Sequence, residues 1–301
     1  MARKERTSVG VIGLGIIGSR IAANLRKAGY QVWLWNRSPR AEPNFLSSPA
    51  EVAESARFIQ IFVNDGQALF ETVDRMLPAL TPEHIVMNHA TVAPADTQSA
   101  AQRVATTGAR FLDAPFTGSR NAAEEGQLVY YVGGDSDAFE MARPVLEKSS
   151  KAIVEIGEVG EASTVKIATN MIAASTVEAL AEAMCLLHHA NIPLENLGKA
   201  LEHSAHRSGL TDSKVETMIE GDFTPHFSLK NMFKDMQLAL ELANSHSVDL
   251  PVVSAFAGAA MSSLQKGWGD EDFSVLARQY GFPREERQET GATSDPAKKE
   301  I

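Results

Sequence analysis

Three groups of residues in this chain have the types and spacing that chemistry requires. The first is Gly13-Leu14-Gly15-Ile16-Ile17-Gly18, which follows an apolar run and opens a stretch with Ile17, Ile21 and Leu25 at helical spacing. Gly13 permits a tight turn, Gly15 lets the backbone approach a pyrophosphate, and Gly18 allows a helix to pack closely on a strand. The helix N-terminus then offers unpaired N–H groups to the anion. The second group, Asn36-Arg37-Ser38, ends the next β-branched run. An NAD site normally places a carboxylate here for the ribose 2′-hydroxyl, and none is present. Asn36 can still bond a ribose, while Arg37, with Arg40 and Ser38 in the same turn, offers a guanidinium fork to a 2′-phosphate. These residues point to NADP(H). The third group is Lys166 and Asn170, four apart and therefore on one helical face. Beside a nicotinamide, an ammonium there could polarise a carbonyl and donate a proton as hydride arrives. By themselves the two residues read more readily as a solvated helix surface.

Elements must hold these groups in place. The N-terminal half alternates short β-branched runs with helical patterns, as a doubly wound parallel sheet requires. The strand candidates are Ser8 to Ile12, Gln31 to Trp35, Arg57 to Val63, His84 to Asn88, Arg110 to Leu112, Leu128 to Val132 and Ala152 to Glu155. Helical stretches run from Ile16 to Ala28, Pro49 to Ser55, Ala68 to Met76, Pro94 to Thr106 and Asp137 to Glu147. Pro39 and Pro43 leave an irregular loop after the second strand. From Glu161 to Ala190 neither Gly nor Pro occurs, and Ala, Leu and Met recur at helical spacing, which predicts one long helix. The rest, up to Phe273 to Gly281, reads as all helix. The expected organisation is a Rossmann-type dinucleotide-binding domain over residues 1–160 and an all-α domain over 161–283, joined by the long helix, with a disordered tail over 284–301.

Composition narrows the partners. At 301 residues the chain has room for two domains, and 44% hydrophobic with 22% charged residues is globular. A net charge of −10 repels a phosphate backbone, which argues against nucleic acid. Cys185 is alone, so no internal disulfide is expected and a reducing cytoplasm fits. Glycines interrupt the apolar run after Arg3, Lys4 and Arg6, which argues against an export signal. The uncharged stretch from Leu250 to Gln265 is short for a bilayer and reads as a buried helix, so no membrane is expected. His188, His189, His203 and His206 lack Cys or carboxylate companions at ligand spacing, and no metal site is assigned. Ser163 to Lys166 matches an acyl-transfer Ser-x-x-Lys pattern, but it lies inside an Ala-rich helix without the companion motifs.

Further blocks carry a resemblance. They are the Gly13 to Gly18 fingerprint, Asp113-Ala114-Pro115, Gly157 and Gly160 preceding Lys166, Asn170, and Lys234-Asp235 after Phe227. With these the chain resembles the β-hydroxyacid dehydrogenases from Val9 to about Phe282. The segment from Thr117 to Leu128, read with Arg37, is similar to the NADPH-dependent glyoxylate and succinic semialdehyde reductases of that family. The resemblance implies that Lys166 is catalytic and that Thr117, Gly118, Ser119, Asn170 and Asp235 face the substrate. It also places Val63, Thr91 and Lys234 on the cofactor. Thr117 and Ser119 depart from the usual Ser-Gly-Gly or Ser-Gly-Thr loop, and Asn88 and Ala90 stand where the family has Asp and Ser.

The resulting expectation is a cytoplasmic, homo-oligomeric reductase that transfers hydride from NADPH to a small aldehyde bearing a carboxylate. Alternatives are an NAD-dependent 3-hydroxyisobutyrate-type dehydrogenase, which Arg37 opposes, and an imine reductase, which Lys166 opposes. A non-catalytic NADP-binding module is the third.

Overall fold

The computed structural model describes residues 7–282, so the expected tail at 284–301 lies outside the described residues. The sheet half comprises β1 (Ser8–Ile12), α1 (Ile16–Lys27), β2 (Gln31–Trp35), α2 (Pro49–Ser55), β3 (Phe58–Ile61), α3 (Gly66–Met76), β4 (Ile85–Asn88), α4 (Pro94–Ala105), β5 (Arg110–Asp113), β6 (Phe116–Thr117), α5 (Arg120–Glu124), β7 (Leu128–Gly134), α6 (Ser136–Leu146) and β8 (Ser150–Gly157). The helical half comprises α7 (Glu161–His189), α8 (Glu195–Glu202), α9 (Gly209–Glu220), α10 (Leu229–Ser245) and α11 (Pro251–Gln265). A 3-10 segment, Phe273–Tyr280, follows where the sequence reads as α-helix.

Strand order is β2-β1-β3-β4-β5, all parallel. The chain steps from β1 outward to β2 and then returns past β1 to β3. That reversal opens a crevice at the C-terminal ends of β1 and β3, the place where open α/β sheets bind ligands. The far edge departs from the wholly parallel expectation. β7 runs antiparallel to both β5 and β6, with Asp113 opposite Gly133 and Phe116 opposite Tyr130, while β8 pairs with β7 in parallel. The physical reason is local: between β5 and β7 the chain forms β6, which pairs back on β7, and the five-residue α5, with no longer helix to carry it across the sheet.

Apolar clusters cover both faces of the sheet. Val9, Val11, Ile85, Met87 and Leu112 pack with Ile21 and Leu25 of α1 on one face. Ile12, Ile59, Ile61 and Val86 pack with Val52, Leu69 and Val73 on the other. In the helical half, α7 gives Ala174, Val177, Ala181 and Met184 to a core shared with Met236, Phe256 and Leu276. By length and composition alone α7 could cross a membrane, but its buried side chains have this protein core to fill. The stretch from Leu250 becomes α11, burying Val253, Phe256 and Ala260 while leaving Val252 and Met261 exposed.

The helical core contains a buried ion pair. Asp272, 1% exposed, accepts from Lys214 Nζ, from the His226 and Phe227 N–H groups, and from Ser274 N–H and Oγ. Burial alone would raise this carboxyl, but the Lys214 charge and the Ser274 donors hold it below the ordinary Asp range. Its ionised form therefore contributes stability above the ordinary carboxylate range, and that contribution is lost as pH falls through the depressed value. Asp272→Asn leaves the Lys214 ammonium buried without a counter-charge, which we expect to cost ~3–5 kcal/mol in chemical denaturation. A loss under ~1 kcal/mol would show that water reaches Lys214 readily.

Candidate active site

The helix that carries Lys166 is pinned to the sheet at its first turn. Asp113 ends β5 with its carboxylate buried. One oxygen accepts from Gly160 N–H at 3.0 Å and Ser163 N–H at 2.8 Å; the other accepts from Ser163 Oγ at 2.7 Å. Burial raises the Asp113 pKa, and these donors pull against that rise. Gly160 enters the helix at φ 98°, in the left-handed region where glycine is unstrained. Ser163 is thus committed to Asp113, and its match to the acyl-transfer pattern follows from helix entry rather than nucleophilic chemistry.

One turn on, Lys166 Nζ donates to Asn170 Oδ1 at 2.9 Å, and Asn170 Nδ2 donates to Asp235 Oδ2 on α10 at 2.6 Å. Lys234 Nζ donates to the Thr91 carbonyl at 2.6 Å and lies 2.7 Å from Asp235 Oδ1, an ion pair whose angle is poor for a hydrogen bond. Lys166, Asn170, Asp235, Lys234 and Thr91 therefore form one polar chain, running from α7 through α10 to the loop after β4. Lys166 is 8% exposed. Burial pushes its pKa down to about 8, with Asp235 opposing and Lys234 adding to the shift. Asp235, 1% exposed, reaches the centre through Asn170.

The loop after β5 is built separately. Thr117 is half-buried on β6, paired with Val129. Gly118 sits at φ 139°, and a Cβ there would crowd Leu128. Ser119 Oγ accepts from Ala122 N–H, so its hydroxyl caps α5. Arg120 is half-buried at the start of α5. No hydrogen bond joins Thr117 to the lysine chain among the described residues. A row of aromatic rings joins this loop to the glycine turn: Phe62 stacks on His89 at 4.5 Å, and Phe116 tilts against Phe62 and meets Tyr130 edge-on, each at 6.3 Å.

The glycine turn fits a dinucleotide. A Cβ on Gly13 would collide with the Phe62 carbonyl, and one on Gly18 with the Gly13 carbonyl, whereas above Gly15 there is open space. Gly15 precedes α1 with no side chain capping the helix, and Ile16 stands half-exposed at its start. This is a cradle of free N–H groups beside uncovered apolar surface, the surroundings a pyrophosphate needs. Val63 lies half-buried two residues past β3. Asn36 is tied into the turn: its Oδ1 accepts from Leu14 N–H at 2.9 Å and its Nδ2 donates to the Ser38 carbonyl at 2.9 Å. Arg37 is exposed and bonds no described residue.

Comparison with known proteins agrees with this architecture. Residues 8–157 match the model of the NAD binding domain of 6-phosphogluconate dehydrogenase, and residues 160–280 match that of the NAD-binding domain of NADP-dependent 3-hydroxyisobutyrate dehydrogenase. Two Arabidopsis thaliana proteins are similar: chloroplastic glyoxylate/succinic semialdehyde reductase 2, 31% identical over 89% of this chain and 78% of that one, and glyoxylate/succinic semialdehyde reductase 1, 30% identical over 92% and 99%. Among solved structures, 3-hydroxyisobutyrate dehydrogenase from Salmonella typhimurium superposes with a TM-score of 0.82 at 28% identity, covering 91% of this chain and 99% of that one. The chain belongs to the NAD(P)-dependent β-hydroxyacid dehydrogenase family of oxidoreductases, of the 3-hydroxyisobutyrate dehydrogenase type.

Two residues missing from the sequence-based site emerge here. Asp113 marks the family block, yet its grip on Gly160 and Ser163 spans 47 and 50 residues and leaves no local signal. His89 follows Ile85 and Met87 in strand alternation, which was enough to point it inward. The polar chain makes a testable statement about Lys166. Asp235→Asn keeps an acceptor for Asn170 and removes the charge that supports the ammonium, so the Lys166 pKa falls further below about 8. Titration of the lysine by 13C NMR checks this, and an unchanged or raised value contradicts the coupling.

Proposed function

We propose that this protein is an NADPH-dependent reductase of small aldehydes that carry a carboxylate, glyoxylate and succinic semialdehyde being the substrates to test, with Lys166 as proton donor. The observation that carries the reading is the buried Lys166 ammonium, held by Asn170 and softened to about 8, so that it can both carry charge and release a proton near neutral pH. When bound, the nicotinamide cofactor supplies hydride to the carbonyl carbon. Lys166 stabilises the negative charge that builds on the carbonyl oxygen and then protonates it. Asn170 fixes the ammonium, and Asp235 fixes Asn170. The hydroxyl of Thr117 and the N–H groups of Gly118 and Ser119 hold the substrate carboxylate, which orients the carbonyl towards Lys166.

Arg37 supports the choice of NADPH. It is exposed and bonds no described residue, and position 36 carries no carboxylate to repel a 2′-phosphate. Ile172 and Leu186 on α7, with Val252 and Met261 on α11, are exposed apolar side chains and support assembly of this chain with itself. A charge-assisted contact of ~1.5–3 kcal/mol favours NADPH over NADH by about tenfold or more in kcat/KM, and Arg37→Ala removes most of that preference. Equal use of the two cofactors by the wild type sinks the assignment.

The substrate experiment compares kcat/KM for succinic semialdehyde and butyraldehyde. The acid should win in the wild type and lose much of its advantage in Thr117→Val. Lys166→Ala should retain NADPH binding and lose roughly 10²–10⁴ in turnover. Wild-type reduction should fade as pH rises through about 8, where the ammonium deprotonates. A neutral aldehyde that matches the acid moves the general aldehyde and imine reductase readings ahead. No turnover with any aldehyde favours the non-catalytic module.

A further inference from the structure

β3 and the end of β4 carry buried polar atoms with nothing to bond. Gln60 is wholly buried in the middle of the parallel sheet, and neither its Oε1 nor its Nε2 has a hydrogen-bond partner. His89, the residue after β4, is 2% exposed; its Nδ1 lies 2.6 Å from the Ala114 carbonyl oxygen, and its Nε2 is unpartnered. A carbonyl only accepts, so Nδ1 carries the hydrogen and Nε2 presents a lone pair.

Register puts these atoms in one layer. Gln60 pairs with Met87 and Ile61 with Asn88, and the His89 N–H continues the ladder by donating to the Ile61 carbonyl. Side chains alternate along a strand, so Phe58, Gln60 and Phe62 share the face on which Ile85, Met87 and His89 lie. The stacked Phe62 and His89 rings confirm the face. Gln60 and His89 are therefore diagonal neighbours on adjacent strands. Leaving three buried polar atoms unsatisfied in one layer is rare in folded proteins.

We propose that Gln60 and His89 enclose one structural water, and that this hydrated pair positions the strand ends from which Thr91 and Thr117 emerge. One water gives each of the three atoms a partner. The water donates one hydrogen to His89 Nε2 and the other to Gln60 Oε1, and it accepts one from Gln60 Nε2. Three partners is the usual number for a buried water. The other ring nitrogen of His89 is fixed to Ala114, from which the chain runs through Pro115 and Phe116 to Thr117, while His89 itself leads through Ala90 to Thr91. Neither Gln60 nor His89 is asked to touch cofactor or substrate; both act by setting where two site loops leave the sheet. Burial pushes the His89 pKa down to about 4, so the ring stays neutral and keeps its tautomer through neutral and alkaline assays.

The experiment is 15N NMR of histidine-labelled protein together with water-17O relaxation dispersion, on the wild type and on Gln60→Met, which conserves volume and removes the amide. The expected wild-type result is a neutral His89 whose Nε2 resonance is that of a lone pair accepting a hydrogen bond. In Gln60→Met one long-lived internal water should disappear and the Nε2 resonance should move to its unbonded position. KM for the aldehyde that the wild type reduces best should then rise severalfold, while the pH dependence set by Lys166 stays in place. An unbonded Nε2 in the wild type overturns the water site, as does a bonded Nε2 with no water lost in the variant, the signature of a direct Gln60 to His89 bond. Loss of the water with KM unchanged overturns the positioning role. The wild-type spectrum needs no variant, so poor folding of Gln60→Met does not shelter the proposal.

Discussion

The Asp113 carboxylate takes three hydrogen bonds from the first turn of α7, and the geometry of the site follows from that contact. Gly160 and the N–H of Ser163 belong to a helix N-terminus, where a negative group is favoured by the exposed donors and by the helix dipole. Asp113 belongs to the C-terminal end of β5, on the same edge of the sheet as the crevice between β1 and β3. Joining the two sets both the distance and the rotation of α7 relative to the sheet. Lys166, one turn in, inherits both. The carboxylate is costly to bury, and its three donors are what make that burial tolerable.

From this anchor the polar chain through Asn170 and Asp235 to Lys234 and Thr91 closes a loop of contacts: sheet to α7, α7 to α10, and α10 back to the sheet. Every link has a polar partner that is itself held. A lysine side chain has considerable rotamer freedom, and burial alone would discourage its charge. Here the Asn170 carbonyl limits the rotamer and Asp235 offsets part of the burial, which leaves the ammonium responsive near neutral pH.

How much of this can be read in the sequence depends on the range of the interaction. Signals contained within one element are legible: Ser8–Ile12, Gln31–Trp35 and Pro49–Ser55 stand in the structure where alternation and caps place them. The i, i+4 relation makes Lys166 and Asn170 partners, and the Gly13 to Gly18 spacing marks the crevice. Elements of two and five residues, β6 and α5, are too short to show a period, and the reversal of β7 follows from that missed pair. Contacts across the chain are not visible as pattern. Asn170 meets Asp235 over 65 residues and Lys234 meets Thr91 over 143, and only a family block marks such partners in advance.

Asn36 has a consequence for how this fold could change coenzyme over evolutionary time. The position where many relatives of the fold keep a ribose-reading carboxylate is here a staple, with one end of its amide on the Leu14 N–H of the glycine turn and the other on the Ser38 carbonyl. An acid at this place could keep the first bond but not the second, because a carboxylate cannot donate. Ser38 would then be released in the same step that introduced the acid. A change between the two nicotinamide coenzymes would therefore be uneven in its routes: the exposed Arg37 can change without breaking a bond to any described residue, whereas its neighbour can change only together with the loop it fastens.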